Sequence, residues 1–227
     1  MSRILITGSS KGLGESLAQI FAENKYDVIL HGRDEESLAH VKSKVLNHNV
    51  DCDVVVGDLV EKDTIRKIQI ISEKKGIDVL INNAGIYLNK PFLETSMEEF
   101  RKVIETNFMA VVSLTYALFP IMQSKGSGLI ININSLAGKN GSDGEAAYCA
   151  SKHALRGFSS SLQFDATKYG IRIIDVYLGA MQTRMTEKRE NHDRLIKPDQ
   201  ASEMIINICE NYDSLRATEI DLMRANY

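Results

Sequence analysis

Proline is scarce in this 227-residue chain, with three residues at positions 91, 120 and 198, all able to stand outside strand interiors. Cysteine is equally scarce. Cys52, Cys149 and Cys209 form neither an even set nor a metal-ligand spacing, which excludes a disulfide framework, gives no metal site and points to a reducing compartment. Neither charge sign is in real excess, with 27 Lys plus Arg against 30 Asp plus Glu and a net charge of -3. The basic footprint of a general nucleic-acid binder is therefore missing. No apolar run approaches the roughly 18 to 20 residues of a membrane helix. The first residues, Met1-Ser2-Arg3-Ile4-Leu5-Ile6, lead straight into a glycine-rich turn, too short for a secretory leader. Linkers, low-complexity tracts and short repeats are absent too. A soluble cytoplasmic protein with neither nucleic-acid nor membrane partners is expected. What is present, 44% hydrophobic and 25% charged residues, is ordinary globular composition, and the length fits one domain over residues 1–227.

Short β-branched runs recur between longer helical patterns. Arg3 to Thr7, Asp27 to His31, Asp53 to Gly57, Val79 to Asn82, Gly128 to Asn132, Arg172 to Tyr177 and Glu219 to Leu222 read as seven buried strands. Amphipathic stretches fill the gaps: Gly14 to Asn24, Glu35 to Leu46, Glu61 to Lys74, Met97 to Gln123, Glu145 to Tyr169 and Asp199 to Asn211. Ser96 to Glu99 and Ser142 to Glu145 both carry capping-box spacing at helix starts. Strands that alternate with crossover helices build an α/β, Rossmann-type, doubly wound parallel sheet of about seven strands with helices on both faces.

The first strand ends in Thr7-Gly8-Ser9-Ser10-Lys11-Gly12-Leu13-Gly14 and enters a helix. Glycines at 8, 12 and 14 permit a tight turn and let backbone amides approach a diphosphate at the helix N-terminus. A glycine-rich structural turn is the competing reading of that motif taken alone. After the second strand, where a carboxylate would accept from a free ribose 2′-hydroxyl, the chain reads His31-Gly32-Arg33, with no acid until Asp34. Arg33 offers a fork to a 2′-phosphate and Lys11 a second positive charge, which favours NADP (NADPH) over NAD. Asp34 keeps NAD open, as does a reading of both cations as ordinary surface charges.

Further on, Ser135 follows a strand, and Tyr148 and Lys152 stand four residues apart in a helical pattern, on one face. A nearby ammonium lowers a phenol's pKa from about 10, so Lys152 can tune Tyr148 as a proton carrier. Ser135 can bond the same substrate oxygen, and Asn107 can help convey protons from the Lys152 side. That spacing alone is common by chance, and a half-buried aromatic beside a solvated lysine is its ordinary meaning.

With the set complete and in order, the chain resembles the short-chain dehydrogenase/reductase family in its classical single-domain form, including its 3-oxoacyl-(acyl-carrier-protein) reductase-like members. The resemblance rests on Thr7 to Gly14, Asp58-Leu59, Asn82-Asn83-Ala84-Gly85, Asn107, Ser135, Tyr148 and Lys152, and covers nearly the whole chain. It implies hydride transfer between a nicotinamide and a carbonyl or alcohol. In that scheme Tyr148 is the general acid and Ser135 polarises the carbonyl. Lys152 lowers the tyrosine pKa and holds ribose hydroxyls, and Asn107 positions a relay water. It also implies cofactor contacts at Gly8, Ser10, Lys11, Gly12, Leu13, Gly14, Arg33, Asp58, Leu59, Asn83, Ala84, Gly85, Gly179 and Thr183, with Asp58 at the adenine. The two long helices around Asn107 and Tyr148 resemble the family's dimerisation pair, which implies a homodimer or homotetramer.

The chain departs from the pattern in places. Leu178 stands where the family has proline, while Gly179 and Thr183 keep their register, so a less rigid turn is expected. The substrate loop at about 180–198 is short, which predicts an open pocket. Its Arg184, Lys188, Arg189, Arg194 and Lys197 outnumber Glu187, Glu190 and Asp193, so an anionic or carrier-bound substrate is one reading and an exposed mixed-charge helix the other. Leu88, Phe92, Leu136, Met181 and Met185 are candidates for the apolar pocket wall. The Gly-rich flanks usual around the last strand are missing at Glu219 to Leu222. The expected activity is NADPH-dependent carbonyl reduction. An NAD-dependent alcohol dehydrogenase and a non-catalytic NADP-binding sensor are the alternatives, and retention of Ser135, Tyr148, Lys152 and Asn107 argues against the sensor. A sugar-nucleotide epimerase would need a larger C-terminal region.

Overall fold

The computed structural model describes residues 2–183, 186–187, 191–212, 214 and 217–225. Seven strands form one sheet: β1 (Arg3–Thr7), β2 (Asp27–Gly32), β3 (Cys52–Val56), β4 (Val79–Asn82), β5 (Gly128–Ser135), β6 (Ile171–Leu178) and β7 (Glu219–Leu222). Their order is β3-β2-β1-β4-β5-β6-β7, and every neighbouring pair is parallel. Parallel neighbours demand a crossover. These are supplied by α1 (Gly12–Glu23), α2 (Glu35–Leu46), α3 (Lys62–Lys75), α4 (Met97–Ile104) running on into α5 (Ala110–Lys125), α6 (Ala146–Ala166) and α7 (Pro198–Asn211). The architecture is the doubly wound one read from the sequence.

Two apolar clusters cover the two faces, as the two-residue period of a strand requires. Ile4 and Ile6 of β1 join Val28, Leu30, Ile81 and Ile131 under α1, α2 and α7, while Leu5, Ile29, Leu80 and Ile130 turn the other way, under α3 and α5. Leu5, Ile4 and Ile6 are fully buried, each worth about 2 kcal/mol of transfer free energy. At the N-terminal edge of the sheet the Arg3 guanidinium gathers Asp27 at 3.0 Å, Asp51 at 3.2 Å and Asp53 at 3.3 Å.

The structure corrects several sequence expectations. Helix α4 begins with the expected capping box, Ser96 accepting from the Glu99 amide and Glu99 from the Ser96 amide. The second box does not form: α6 starts at Ala146, and the Glu145 carboxylate turns to Tyr87 instead. Strand β5 runs three residues beyond Asn132, because Ile133, Asn134 and Ser135 pair with Val176, Tyr177 and Leu178. The continuous helix Met97–Lys125 is long and apolar enough to cross a membrane by length and composition, contrary to the reading that no run came close. Polar Asn107, Ser113 and Thr115 interrupt its apolar residues in sequence. Its buried side, which includes Ala110, Leu114, Leu118 and Met122, belongs to the core beneath the sheet.

Candidate active site

The sheet's winding reverses between β1 and β4. Successive strands spread to one side as β2 and β3 and to the other as β5, β6 and β7, which opens a crevice at the C-terminal ends of the central strands. A cavity of about 880 Å³ occupies it. Gly8, Ser10, Lys11, Gly12, Leu13, Gly14, Arg33, Asp58, Leu59, Asn83, Ala84, Gly85, Ser135, Tyr148, Lys152, Gly179 and Thr183 all line this one cavity. Asn107 does not.

The glycine turn is closed up in a way that only missing side chains permit. Gly8 has φ +66° and packs with its hypothetical Cβ 2.9 Å from the Ala84 Cα, while a Cβ on Gly14 would lie 2.2 Å from the Gly8 carbonyl oxygen. Behind the turn, the Thr7 hydroxyl accepts from the Asn83 and Ala84 amides at 2.9 and 3.0 Å. Asn83 Nδ2 donates back to the carbonyls of Thr7 and Gly8 at 2.9 and 3.2 Å. Asn83 thus braces the turn. His31 does the same from β2: its Nδ1 accepts from the Gly8 amide at 3.4 Å, which leaves Nε2–H to donate to the Gly57 carbonyl at 3.1 Å. Burial pushes the His31 pKa down to about 4 and keeps the ring neutral. Sequence reasoning passed over His31, and its only signal was position, at a strand end beside the glycine turn. A cradle at the start of α1 that would not admit a Cβ at Gly14, in the helix's first turn, fits the diphosphate of a dinucleotide.

At the far end of the cavity, exposed Arg33 reaches toward Asp58, Nη1 to Oδ2 at 3.5 Å. Asp34 is engaged elsewhere. Its carboxylate accepts from the Ser37 amide at 3.0 Å and caps α2, and it does not line the cavity.

Ser135 closes β5 and Tyr148 and Lys152 rise from α6, so the sheet and one helix bring the three together. Burial dominates at Tyr148 and pushes the phenol up to about 12, with Ser135 opposing the rise and Glu145 and Tyr87 adding to it; the Ser135 hydroxyl accepts from the Ala137 amide at 3.2 Å. Lys152 is buried and donates from Nζ to the Ile133 carbonyl at 2.8 Å. Its Nζ lies 5.9 Å from the centre of the Tyr148 ring, and desolvation lowers it to about 8. The expectation that Lys152 lowers the tyrosine pKa is therefore not met in the chain by itself. Desolvation dominates, and Tyr148 stands as a neutral phenol, a proton donor.

Asn107 lies behind the cavity in a single π turn, Glu105–Met109, that joins α4 to α5. Its Oδ1 accepts from the Ile86 amide at 2.7 Å. Its Nδ2 donates to the Ile86 carbonyl at 2.9 Å and to Ser151 Oγ at 3.2 Å. The side chain clamps the segment after β4, and these hydrogen bonds do not run to Lys152.

Leu178 completes β6, and the Gly179 amide donates to the Leu222 carbonyl at 2.9 Å, so β7 anchors the turn where proline was expected. Met181 pairs with Ile196 to close the base of the short loop. Leu136 and Met181 line the cavity; Leu88 and Phe92 do not, and Ile86 and Tyr87 take that wall. Phe92 is exposed on a 3-10 turn. Arg184, Met185, Lys188, Arg189 and Glu190 lie outside the described residues.

Sheet order and crevice place the chain in the class of doubly wound α/β folds with a glycine turn at the switch point. The family model for short chain dehydrogenases matches residues 2–194, and the chain belongs to that family. It is 36% identical over 189 residues to a dehydrogenase/reductase SDR family protein 7-like of Drosophila melanogaster, covering 81% of this chain and 58% of that one. The chain thus spans little more than half the length of that curated relative. It is 34% identical to the 3-oxoacyl-[acyl-carrier-protein] reductase of Rickettsia conorii, covering 84% of this chain and 77% of that one. Identity to an NADPH-dependent pterin aldehyde reductase of Arabidopsis thaliana is 32%, with 80% and 76% covered. Among solved structures, a metagenomic short-chain oxidoreductase in complex with NADP superposes with a TM-score of 0.88 at 27% identity, covering 100% of this chain and 98% of that one.

Proposed function

We propose that the protein is an NADPH-dependent carbonyl reductase acting in the cytoplasm on a small carbonyl compound, with Ser135, Tyr148, Lys152 and Asn107 as its working set. The observation that carries this reading is the meeting of a neutral Tyr148 and of Ser135 with the glycine turn in one cavity. The nicotinamide supplies hydride when bound. Tyr148 delivers a proton to the carbonyl oxygen, and Ser135 donates to the same oxygen as negative charge develops there. Lys152 presents its ammonium beneath them, and Asn107 holds Ile86 and Ser151 so that the wall of the site keeps its shape. Tyr148 carries its proton at neutral pH, as the donor in a reduction must.

Preference for the 2′-phosphate is supported by the exposed Arg33 fork, by Lys11 in the turn, and by Asp34 being taken up as a helix cap. The relatives named for NADP and NADPH agree with it. Exposed Tyr116 and Phe164 on α5 and α6 support a homodimer built on those helices.

Fluorescence titration with NADPH and NADH, followed by a carbonyl panel, tests the reading. Tighter NADPH binding with cofactor oxidation that Tyr148→Phe slows by about a hundredfold or more is the expected result. Near-normal turnover in that variant removes Tyr148 from the mechanism, and binding without turnover on any carbonyl favours a sensor.

A further inference from the structure

Glu145 is a charged residue that the reductase reading leaves without work. It is 8% exposed, lines the cavity and stands three residues before Tyr148. Its spacing from Ser142 marks it as a helix-capping residue, yet its carboxylate leaves the helix end. The Tyr87 hydroxyl donates to its Oε1 at 2.6 Å. Among the described residues no donor reaches Oε2.

The surrounding backbone holds this arrangement in place. The Lys90 amide donates to the Gly144 carbonyl at 2.7 Å, and Asn89 Nδ2 donates to the Asp143 carbonyl at 3.0 Å, so the segment after β4 is fastened to the segment before α6. Tyr87 also meets the Tyr148 ring edge-on, with centroids 5.1 Å apart. The carboxylate therefore sits beside the proton donor, fixed by two loops, with one oxygen tied back and the other open. The open oxygen faces the cavity, where a donor on a bound molecule would gain a charge-assisted hydrogen bond.

We propose that Glu145 is the specificity residue of the reductase reading, and that it selects carbonyl substrates carrying a hydroxyl or ammonium donor on the carbon next to the carbonyl. This rests on that reading of the site. A substrate whose carbonyl oxygen meets Tyr148 and Ser135 puts its neighbouring carbon within reach of Glu145, because Glu145 lines the same cavity and Tyr87 touches both Glu145 and the Tyr148 ring. A substrate that covers this carboxylate without offering a donor strips it of water and leaves it unpaired, so the analogue that lacks the donor is rejected.

The test uses α-hydroxyacetophenone, α-aminoacetophenone and propiophenone, which place a hydroxyl, an ammonium and a methyl on the same carbon. Affinity is measured on the whole protein saturated with NADP⁺, where no ketone can be reduced, and kcat/KM is measured with NADPH. Wild type is expected to favour a donor-bearing ketone over propiophenone by about tenfold or more, and Glu145→Gln to reduce that ratio by a similar factor. Tyr87→Phe frees the carboxylate from its tyrosine and is expected to keep or raise the ratio. A preference for amine over alcohol identifies an ammonium partner, and equal preference a neutral donor; both support the assignment. Equal ratios in wild type and Glu145→Gln overturn it, as does a ratio near one in wild type and Tyr87→Phe. A Glu145-dependent binding preference without NADPH oxidation would refute the reductase reading and leave the recognition role standing.

Discussion

Replacing Lys152 by methionine should make the protein more stable at neutral pH while abolishing the proposed activity. The native ammonium is desolvated, with its pKa lowered from 10.5 to about 8. Between those values the unfolded chain binds the proton and the native chain does not, so wild-type stability rises with pH across that window. Below pH 8 the buried charge costs about 3 kcal/mol, a shift of roughly two and a half units at 1.36 kcal/mol each. Methionine removes that cost and forfeits the hydrogen bond to the Ile133 carbonyl, worth about 1 kcal/mol. The net stabilisation is about 2 kcal/mol at pH 7, falling to about zero by pH 10 as the native penalty disappears. Urea unfolding of the cofactor-free protein at several pH values between 7 and 10 measures this. The comparison stops there because Tyr148, raised from 10.0 to about 12, makes stability fall above pH 10. A difference between variants that is the same at pH 7 and pH 10 would refute the desolvated lysine. So would a variant that is less stable at pH 7.

Three further outcomes follow from charges elsewhere. Arg33→Ala should weaken NADPH binding about tenfold or more through loss of a charge-assisted contact and leave NADH nearly unaffected; equal losses in fluorescence titration would end the phosphate role. His31, lowered from 6.5 to about 4, binds its proton more readily in the unfolded chain, so stability should drop by up to about 3 kcal/mol as pH falls from 6.5 to 4. His31→Gln should flatten that part of the urea-midpoint profile, and an unchanged slope would show that another group is responsible. Arg3→Leu strands Asp27, Asp51 and Asp53 with Lys75 as the remaining cation among the described residues. A loss of about 3 kcal/mol in chemical denaturation is expected, and a loss within experimental error would mean that Lys75 neutralises the cluster by itself.

The strand and helix order was legible because each element carries its own local period: the buried strands read as apolar runs and the helices as amphipathic stretches. The cavity was legible because its residues sit at strand ends, where the order of elements already places them. Ser135 was found as a residue following a strand, although β5 reaches it, because the polar Asn132 and Asn134 broke the apolar run. Those asparagines are buried and hydrogen-bonded within the fold, a pairing across β5, α6 and β6 that no local pattern reports. Glu145 was read as a cap because Ser142 stands at the right spacing, and only Tyr87, 58 residues away, draws it off. Lys152 was read as lowering the tyrosine because spacing reveals proximity along a helix, whereas desolvation depends on everything else packed around it.

Strand β1 is made first and ends up in the middle of the sheet, between β2 and β4. Once β2 and β3 have followed from the ribosome, they can zip outward from one edge of β1, while its opposite edge waits for Val79–Asn82, some seventy residues later. Each later strand then joins the rim left by its predecessor, and β7 comes last. Until Val79–Asn82 arrives the open rim is bordered by apolar Ile4 to Ile6, so the interval before β4 joins is the one in which this chain is most exposed to pairing with a neighbour.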